Sequence, residues 1–349
     1  MGSVKDLELV KKSTKTRMGI GRFHFSDRYS VFDWGEMPDL IEEKGAALCI
    51  MGAYSFEKLE DKGIKTHYHG LVTPNGKIVT TDQLEKPVNV MEVNFVNVLR
   101  PKSYKKTGKL AYDYSVFTPH LTNFLIPLEV IYRNGFPEGS SVFKRLEQGI
   151  IKLEHLGLDH YPKPGEKLEN PIFDVSTKLE EHDRYLTWSE AQKISGLTRE
   201  EVAETKKILL NVNNLITEVA ARASLVNEDG KIELAMDNHR RLMVADVVGT
   251  LDECRFTYEG VHVSKEIARQ FYKATRWYRD VEESKKESTS KGIKDWKSLC
   301  KTQPPKLDAQ LKKIIRNMYM AAANEYTKLE LFDSTRLVDV ISEYKEYLS

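Results

Sequence analysis

The sequence predicts an α+β fold, with antiparallel sheets and packed helices. Three observations carry that expectation. Short strand-like pieces at residues 21–25, 77–81 and 90–99 crowd the first hundred residues, with one stretch of helical apolar spacing, 46–59, among them. Pro74-Asn75-Gly76-Lys77 reads as a turn between two extended pieces, because Asn-Gly tolerates positive φ. Residues 232–236 and 242–248 read as an antiparallel hairpin around Asn238-His239. Strands and helices do not alternate regularly, which disfavours a parallel βαβ sheet.

Residues 125–131 predict a buried strand, ending at Arg133-Asn134 and a glycine-bearing loop. The polar stretch 159–170 carries Pro162, Pro164 and Gly165 and reads as an exposed loop. The clearest helix starts after Thr198, which forms a capping box with Glu201. Val202, Ile208, Leu209, Val212, Leu215, Ile216 and Val219 give it an apolar face. Residues 268–278 predict a further helix, whereas 282–301, charged and poor in apolar residues, predict a mobile loop. After Pro304-Pro305, the residues Leu307, Leu311, Ile314, Ile315, Met318 and Tyr319 fall at helical spacing. Leu337, Val338, Ile341 and Tyr344 suggest a final shorter helix.

A chain of 349 residues can bury a large core without disulfides or a structural metal. A net charge of +1 disfavours a dedicated nucleic-acid binder. Cys49, Cys254 and Cys300 are far apart, lack metal-ligand spacing and fit a reducing compartment. No apolar run approaches a membrane span, and residues 1–16 are not signal-like, so the expectation is a cytoplasmic protein without membrane or nucleic-acid partners.

The densest chemistry lies in Lys231-Ile232-Glu233, Asp246 and Asp252-Glu253-Cys254-Arg255. The period of two in a strand puts Lys231 and Glu233 on one sheet face. Asp246, from the returning strand, joins them if the register allows. One lysine and two carboxylates can take a divalent cation beside nucleotide phosphates; an exposed hairpin with ordinary surface ion pairs is the plainer alternative. Arg255 can grip a phosphate or carboxylate with its planar fork, with Asp252 orienting it or contacting substrate. The same two residues could equally form a turn-stabilising pair.

Arg133, Gly139 and Ser140 make a second anion-binding candidate, without the Gly-Lys-Ser/Thr ending of a Walker loop. Lys15 and Arg17 lie near Gly19 and Gly21, either as a basic cover for phosphates or as an exposed basic terminus. His182 has no acyl-transfer triad around it. His67 and His69 share a face if extended, but no third ligand is evident, so a structural or binding role is expected for them.

In order, these segments resemble the SAICAR synthetase family (phosphoribosylaminoimidazole-succinocarboxamide synthases) over about residues 12–280. The likeness runs through Lys15 and Arg17, Ser26-Asp27-Arg28-Tyr29-Ser30-Val31-Phe32-Asp33, Lys44-Gly45 and Gly63-Ile64-Lys65-Thr66-His67. It continues through Arg133-Asn134, Gly139-Ser140, Pro171-Ile172-Phe173, Ser176-Thr177-Lys178, Glu180-Glu181-His182-Asp183, and closes on Lys231-Ile232-Glu233-Leu234, Ala245-Asp246 and Asp252-Glu253-Cys254-Arg255. The chain departs from the family pattern at Thr14, at one extra residue before Gly139, at Leu234-Ala235 and at Gly249-Thr250-Leu251.

The resemblance implies an ATP-grasp-like nucleotide cleft and an ATP- and Mg2+-dependent ligase. Its substrates would be L-aspartate and carboxyaminoimidazole ribonucleotide. It assigns Lys15 and Arg17 to a flexible cover over ATP, Lys231 to the nucleotide, and Glu233 and Asp246 to ATP and the metal. Arg133, Ser140 and Arg255 would hold the ribonucleotide phosphate, with Asp252 as a further substrate contact. Three units follow: an N-terminal nucleotide-binding lobe (1–130), a lobe for substrate and ATP/Mg2+ (131–281), and a loop with a C-terminal helical extension (282–349), which leaves room for a homo-oligomer. Two alternatives are a ligase on the same scaffold with another amine or carboxylate substrate, and a non-catalytic purine-nucleotide-binding protein.

Overall fold

The computed structural model describes residues 4–106, 109–180, 183–293 and 295–349. Glu181 and His182, singled out in the sequence, lie outside the described residues. The chain begins with β1 (Lys5–Lys11), β2 (Gly19–Phe25), α1 (Lys44–Asp61), β3 (Tyr68–Val72), β4 (Ile78–Val79) and β5 (Val90–Phe95). It continues through β6 (Lys102–Lys106), β7 (Lys109–Asp113), β8 (Phe124–Phe136), α2 (Ser141–Glu147), β9 (Glu166–Thr177), α3 (Trp188–Ser195) and α4 (Arg199–Arg222). The remainder is β10 (Val226–Met236), β11 (Leu242–Ala245), β12 (Cys254–Tyr258), β13 (Val261–His262), α5 (Glu266–Lys273), α6 (Arg276–Lys291), α7 (Ala309–Thr327) and α8 (Leu337–Leu348).

Two antiparallel sheets organise the molecule. One runs β1-β2-β5-β3-β4; the other runs β13-β12-β10-β8-β9, with β11 also on β10; β6 and β7 form a separate hairpin. The sheets meet at β11, where Val244 accepts a bond from His67 N (3.0 Å) and donates one to Lys65 O (2.9 Å). The side chains discussed below gather around this seam.

One continuous apolar core joins both sheets to the helices. Helix α1 is buried over most of its length, so it lacks the one-sided stripe of a surface helix. Helix α4 starts as its sequence predicts: Thr198 Oγ1 accepts from Glu201 N (3.2 Å) and a Glu201 oxygen accepts from Thr198 N (2.8 Å). Helix α7 presents Ile314, Ile315, Met318 and Tyr319 to the core, also as expected.

Three expectations need correction. Residues 282–301 are not a loop, because α6 continues to Lys291 and a 3-10 turn follows at Trp296–Leu299. Its buried face carries Trp277, Asp280, Val281, Ser284 and Ser288, and serines small enough to pack conceal that face from an apolar count. The expected helix at 268–278 is two helices, split at Thr275, whose side chain caps α6 through Tyr278 N (3.2 Å). The strand expected to end before Arg133 runs on to Phe136, so Arg133 sits within β8. That strand also contains residues 130 and 131, between which two lobes were expected to divide. Among the described residues no helix is long and apolar enough to cross a membrane.

Candidate active site

Strand register builds the site. In the second sheet Glu233 of β10 stands opposite Glu129 of β8, which stands opposite Ser176 of β9. Four residues along, Asp229 stands opposite Arg133. Because side chains alternate, Asp229, Lys231 and Glu233 share a face with Glu129, Ile131 and Arg133 and with Asp174 and Ser176. Most of these charged groups are buried, and each is paired.

At one end lysines hold carboxylates together. Lys178 Nζ lies 2.7 Å from Glu129 and 2.6 Å from Glu233. Lys231 Nζ lies 2.8 Å from Glu129 and 3.3 Å from Glu253. Asp246, with φ of 62° just beyond β11, pairs with Lys5 of β1. Burial favours the neutral acid throughout, yet Lys231 and Lys178 hold Glu129 down at about 2. Glu233, buried and facing Asp246, is pushed up to about 7. Among the described residues no group of three His, Cys, Asp or Glu side chains converges to hold a metal ion.

At the other end arginines dominate. Arg133 reaches Asp229 and Asp174, each at 3.2 Å, and Arg255 Nε reaches Asp229 at 3.1 Å. Arg145 also grips Asp174, with its guanidinium stacked 3.6 Å from the Tyr185 ring centre. Among the described residues, three buried N–H groups, Arg133 Nε, Arg145 Nε and Arg255 Nη1, find no hydrogen-bond partner. Unpaired buried donors on cations are costly unless an anion completes them.

A cavity of about 290 Å³ runs between the two ends; Lys265, just before α5, and Arg269 of α5 add positive charge to its wall, and Asp183 and Glu253 add negative charge. Burial lowers the Lys265 ammonium against the pull of Asp252. A second cleft of about 210 Å³ is apolar, with Leu7, Phe23, Phe95, Val96 and Leu125 in its walls, and Glu233 and Asp246 border it. The Glu129–Glu233 pair therefore stands between an apolar cleft and a polar cavity lined by both cations and carboxylates.

The model of the family described as SAICAR synthetase matches residues 10–291. A putative phosphoribosylaminoimidazole-succinocarboxamide synthase of Archaeoglobus fulgidus is 49% identical over 348 residues, covering 100% of both chains. The chain belongs to the SAICAR synthetase family. A phosphoribosylaminoimidazole-succinocarboxamide synthase of Thermoplasma acidophilum is 34% identical over 263 residues, 73% of this chain and 79% of that one. The fold agrees with solved structures of the family. The SAICAR synthase of Saccharomyces cerevisiae complexed with SAICAR gives a TM-score of 0.62 at 19% identity, over 94% of this chain and 93% of that one. A SAICAR synthetase in complex with ADP gives 0.55 at 21% identity, over 88% and 99%.

Of the residues that the family resemblance singles out, Lys231, Arg133, Asp252 and Arg255 line the polar cavity, and Glu233 and Asp246 line the apolar cleft. Lys15 and Arg17 stay apart, exposed at the tip joining β1 to β2. The backbone of that tip is pinned, since the Asn123 side-chain amide donates to Thr14 O (2.6 Å) and Arg17 O (2.9 Å). Ser140 caps α2 by accepting from Val142 N (3.4 Å). The neighbouring Ser141 hydroxyl is the one that reaches Arg133 (3.4 Å) and Tyr185 (2.8 Å). His67 is buried and bonds Asp246 O (3.2 Å), while His69 is exposed, so the two do not form a shared metal site.

Sequence reasoning missed Glu129, Asp174 and Asp229. Glu129 and Asp174 were legible as charges that interrupt apolar runs, a pattern that marks a paired or functional group, whereas Asp229 is hidden in a polar stretch. Lys44, named in the likeness but given no role there, is wholly buried at the start of α1, and its Nζ lies 2.9 Å from Asp252. Nothing local in the sequence points to that partner.

Proposed function

We propose that this chain joins L-aspartate to carboxyaminoimidazole ribonucleotide, cleaving ATP to ADP and phosphate and giving the succinocarboxamide. The observation that carries the reading is the buried carboxylate pair between an apolar cleft and an arginine-lined cavity, in a chain of this family. The apolar cleft suits a planar base, and Glu233 and Asp246 at its edge suit the polyphosphate end of a nucleotide. Lys231 would meet that end from the adjoining cavity, and Lys15 and Arg17 would cover it from the β1–β2 tip. The unpaired arginine N–H groups suit the dianionic phosphate of the ribonucleotide, held by Arg133 and Arg255 with Ser140 at the adjacent helix start and Asp252 across the cavity.

Magnesium prefers oxygen ligands, keeps several waters and needs only one or two carboxylates when phosphates complete its shell. Glu233 and Asp246 fit such a site, and they do not by themselves make a protein-only cage. When bound, the ion would supply charge neutralisation at the transferring phosphoryl group. Lys178 pairs with Glu233 and Lys5 with Asp246, so a bound ion and its phosphates would compete with these two ammonium groups for the same oxygens.

The chemistry follows from the substrate. A carboxylate repels an incoming amine and has a poor leaving group. Phosphorylating it supplies a good one, the aspartate amine attacks, and phosphate departs. The cationic wall of Lys231, Arg255 and Lys265 offsets the charge of two phosphorylated reactants and aligns them, so no enzyme nucleophile is required.

A coupled assay with ATP, Mg2+, L-aspartate and the imidazole ribonucleotide tests this. Succinocarboxamide formed in step with ADP is the expected result. ATP use only with a different amine or carboxylate, or nucleotide binding without amide formation, would reject it.

A further inference from the structure

We infer that Tyr319 of α7 is a positioning residue of the active site, so that this helix holds the turn that delivers Asp252, Glu253 and Arg255 to the cavity. This deepens the proposed function and rests on it. The family match ends at residue 291, and α7 lies beyond it.

The Tyr319 hydroxyl donates to Asp252 Oδ1 at 2.7 Å, and Lys44 Nζ binds Asp252 Oδ2 at 2.9 Å. Both carboxylate oxygens are thus held by side chains from outside the turn. Tyr319 and Lys44 are themselves buried, and the Lys44 ammonium stands 5.4 Å from the Tyr319 ring centre. Lys44 is the first residue of α1, where the helix dipole disfavours a cation. Its charge therefore depends on Asp252 and on the tyrosine face, and the three groups stabilise one another as a unit.

The turn they hold connects directly to the cavity wall. Thr250 O accepts from Glu253 N (3.2 Å) and Cys254 N (2.9 Å), and Glu253 O accepts from Lys231 N (3.1 Å). A shift of Asp252 would therefore displace the backbone that carries Lys231 and Arg255. Without the Tyr319 hydroxyl, one oxygen of a buried carboxylate loses its partner, and the turn must move or admit water to satisfy it. Displacements of this size at groups that position a substrate affect its binding strongly.

The test uses the full chain and a matched control. Tyr319→Phe removes only the hydroxyl and keeps the ring. Tyr68→Phe removes another tyrosine–carboxylate bond, to Glu57 at 2.8 Å, on the first sheet away from the cavity. The expected result is an apparent KM for the imidazole ribonucleotide raised about ten-fold in Tyr319→Phe, with kcat and the KM for ATP held within about two-fold. Tyr68→Phe should lower the melting temperature comparably and leave all three constants in place. Equal kinetics in Tyr319→Phe and the parent protein, with only stability lowered, would overturn the inference. A parent protein that makes no succinocarboxamide would instead sink the functional reading and this inference with it.

Discussion

Glu129 and Glu233 face each other across β8 and β10 and share the ammonium of Lys178, which reaches them at 2.7 and 2.6 Å. Two buried carboxylates side by side repel, and a shared cation lets the sheet close over them. Replacing Lys178 with Met leaves that repulsion uncompensated. The variant should lose about 1–3 kcal/mol of stability, less than a fully buried pair because Lys178 keeps some contact with solvent. Urea unfolding in metal-free buffer measures the loss, and an unchanged midpoint would mean that Lys231 alone neutralises Glu129.

Glu233 together with Asp246, the pair proposed to hold Mg2+, gives a different readout. In the proposed metal site, Glu233→Gln and Asp246→Asn would each replace an anionic oxygen by a weak neutral one. The Mg2+ concentration for half-maximal turnover should rise at least about ten-fold in each. Turnover measured against Mg2+ at saturating ATP tests this. Equal Mg2+ curves in both variants and the parent protein would remove these two residues from the metal site.

How much of this was legible in the sequence differs by element. Local signals were read well where one segment decides its own structure. The Thr198/Glu201 capping box, the Asn75-Gly76 turn and the apolar face of α7 each depend on neighbours in the chain. The shared face of Lys231 and Glu233 followed from strand period alone. What could not be read was partnership across the fold. Glu129 meets Lys231 from 102 residues away, and Lys44 meets Asp252 from 208 away. Helix α6 was missed because its packing face uses Ser284 and Ser288 in place of large apolar residues. The resemblance named Ser140, which caps α2, while the bond from Arg133 to the neighbouring Ser141 was not legible in the sequence.

Arg255 reaches Asp229 through Nε, and its buried Nη1 has no partner among the described residues. A lysine at this position would supply charge but not the fork. Arg255→Lys should therefore raise the KM for the ribonucleotide about ten-fold, and Arg255→Ala more, with ATP binding nearly unaffected. Steady-state kinetics with each substrate varied in turn would separate the two. An equal rise in both KM values would assign Arg255 to the nucleotide instead.

Asp252 gives the site a defined acid limit. Burial disfavours its charge, but Lys44, Lys265 and the Tyr319 hydroxyl hold its carboxyl at about 2, below the ordinary 3.8. A depressed carboxyl contributes stability above its unfolded value, and that contribution is lost as pH falls through the folded one. The stability difference between the parent protein and Asp252→Asn should thus be constant above about pH 5 and about 1–2 kcal/mol smaller at pH 2. Urea unfolding across that range follows it. A difference that grows toward low pH would show that Asp252 is not the charged partner of Lys44.

Gly249 opens the same turn at φ +71°, and a Cβ there would lie 2.3 Å from Ser55 Oγ, 2.6 Å from Ile216 Cδ1 and 2.8 Å from the Tyr326 hydroxyl. Those atoms belong to α1, α4 and α7, so three helices converge on one backbone position. Alanine would meet both an unfavourable backbone conformation and an overpacked core, a combined cost of about 2–4 kcal/mol. Because the turn continues into Asp252 and Arg255, Gly249→Ala should also weaken ribonucleotide binding in whatever fraction stays folded. Thermal unfolding combined with ribonucleotide titration separates the two effects. Lowered stability with parental ribonucleotide affinity would show that the helices can yield without moving the turn, which would locate the rigidity of this corner in the strands β10 and β12.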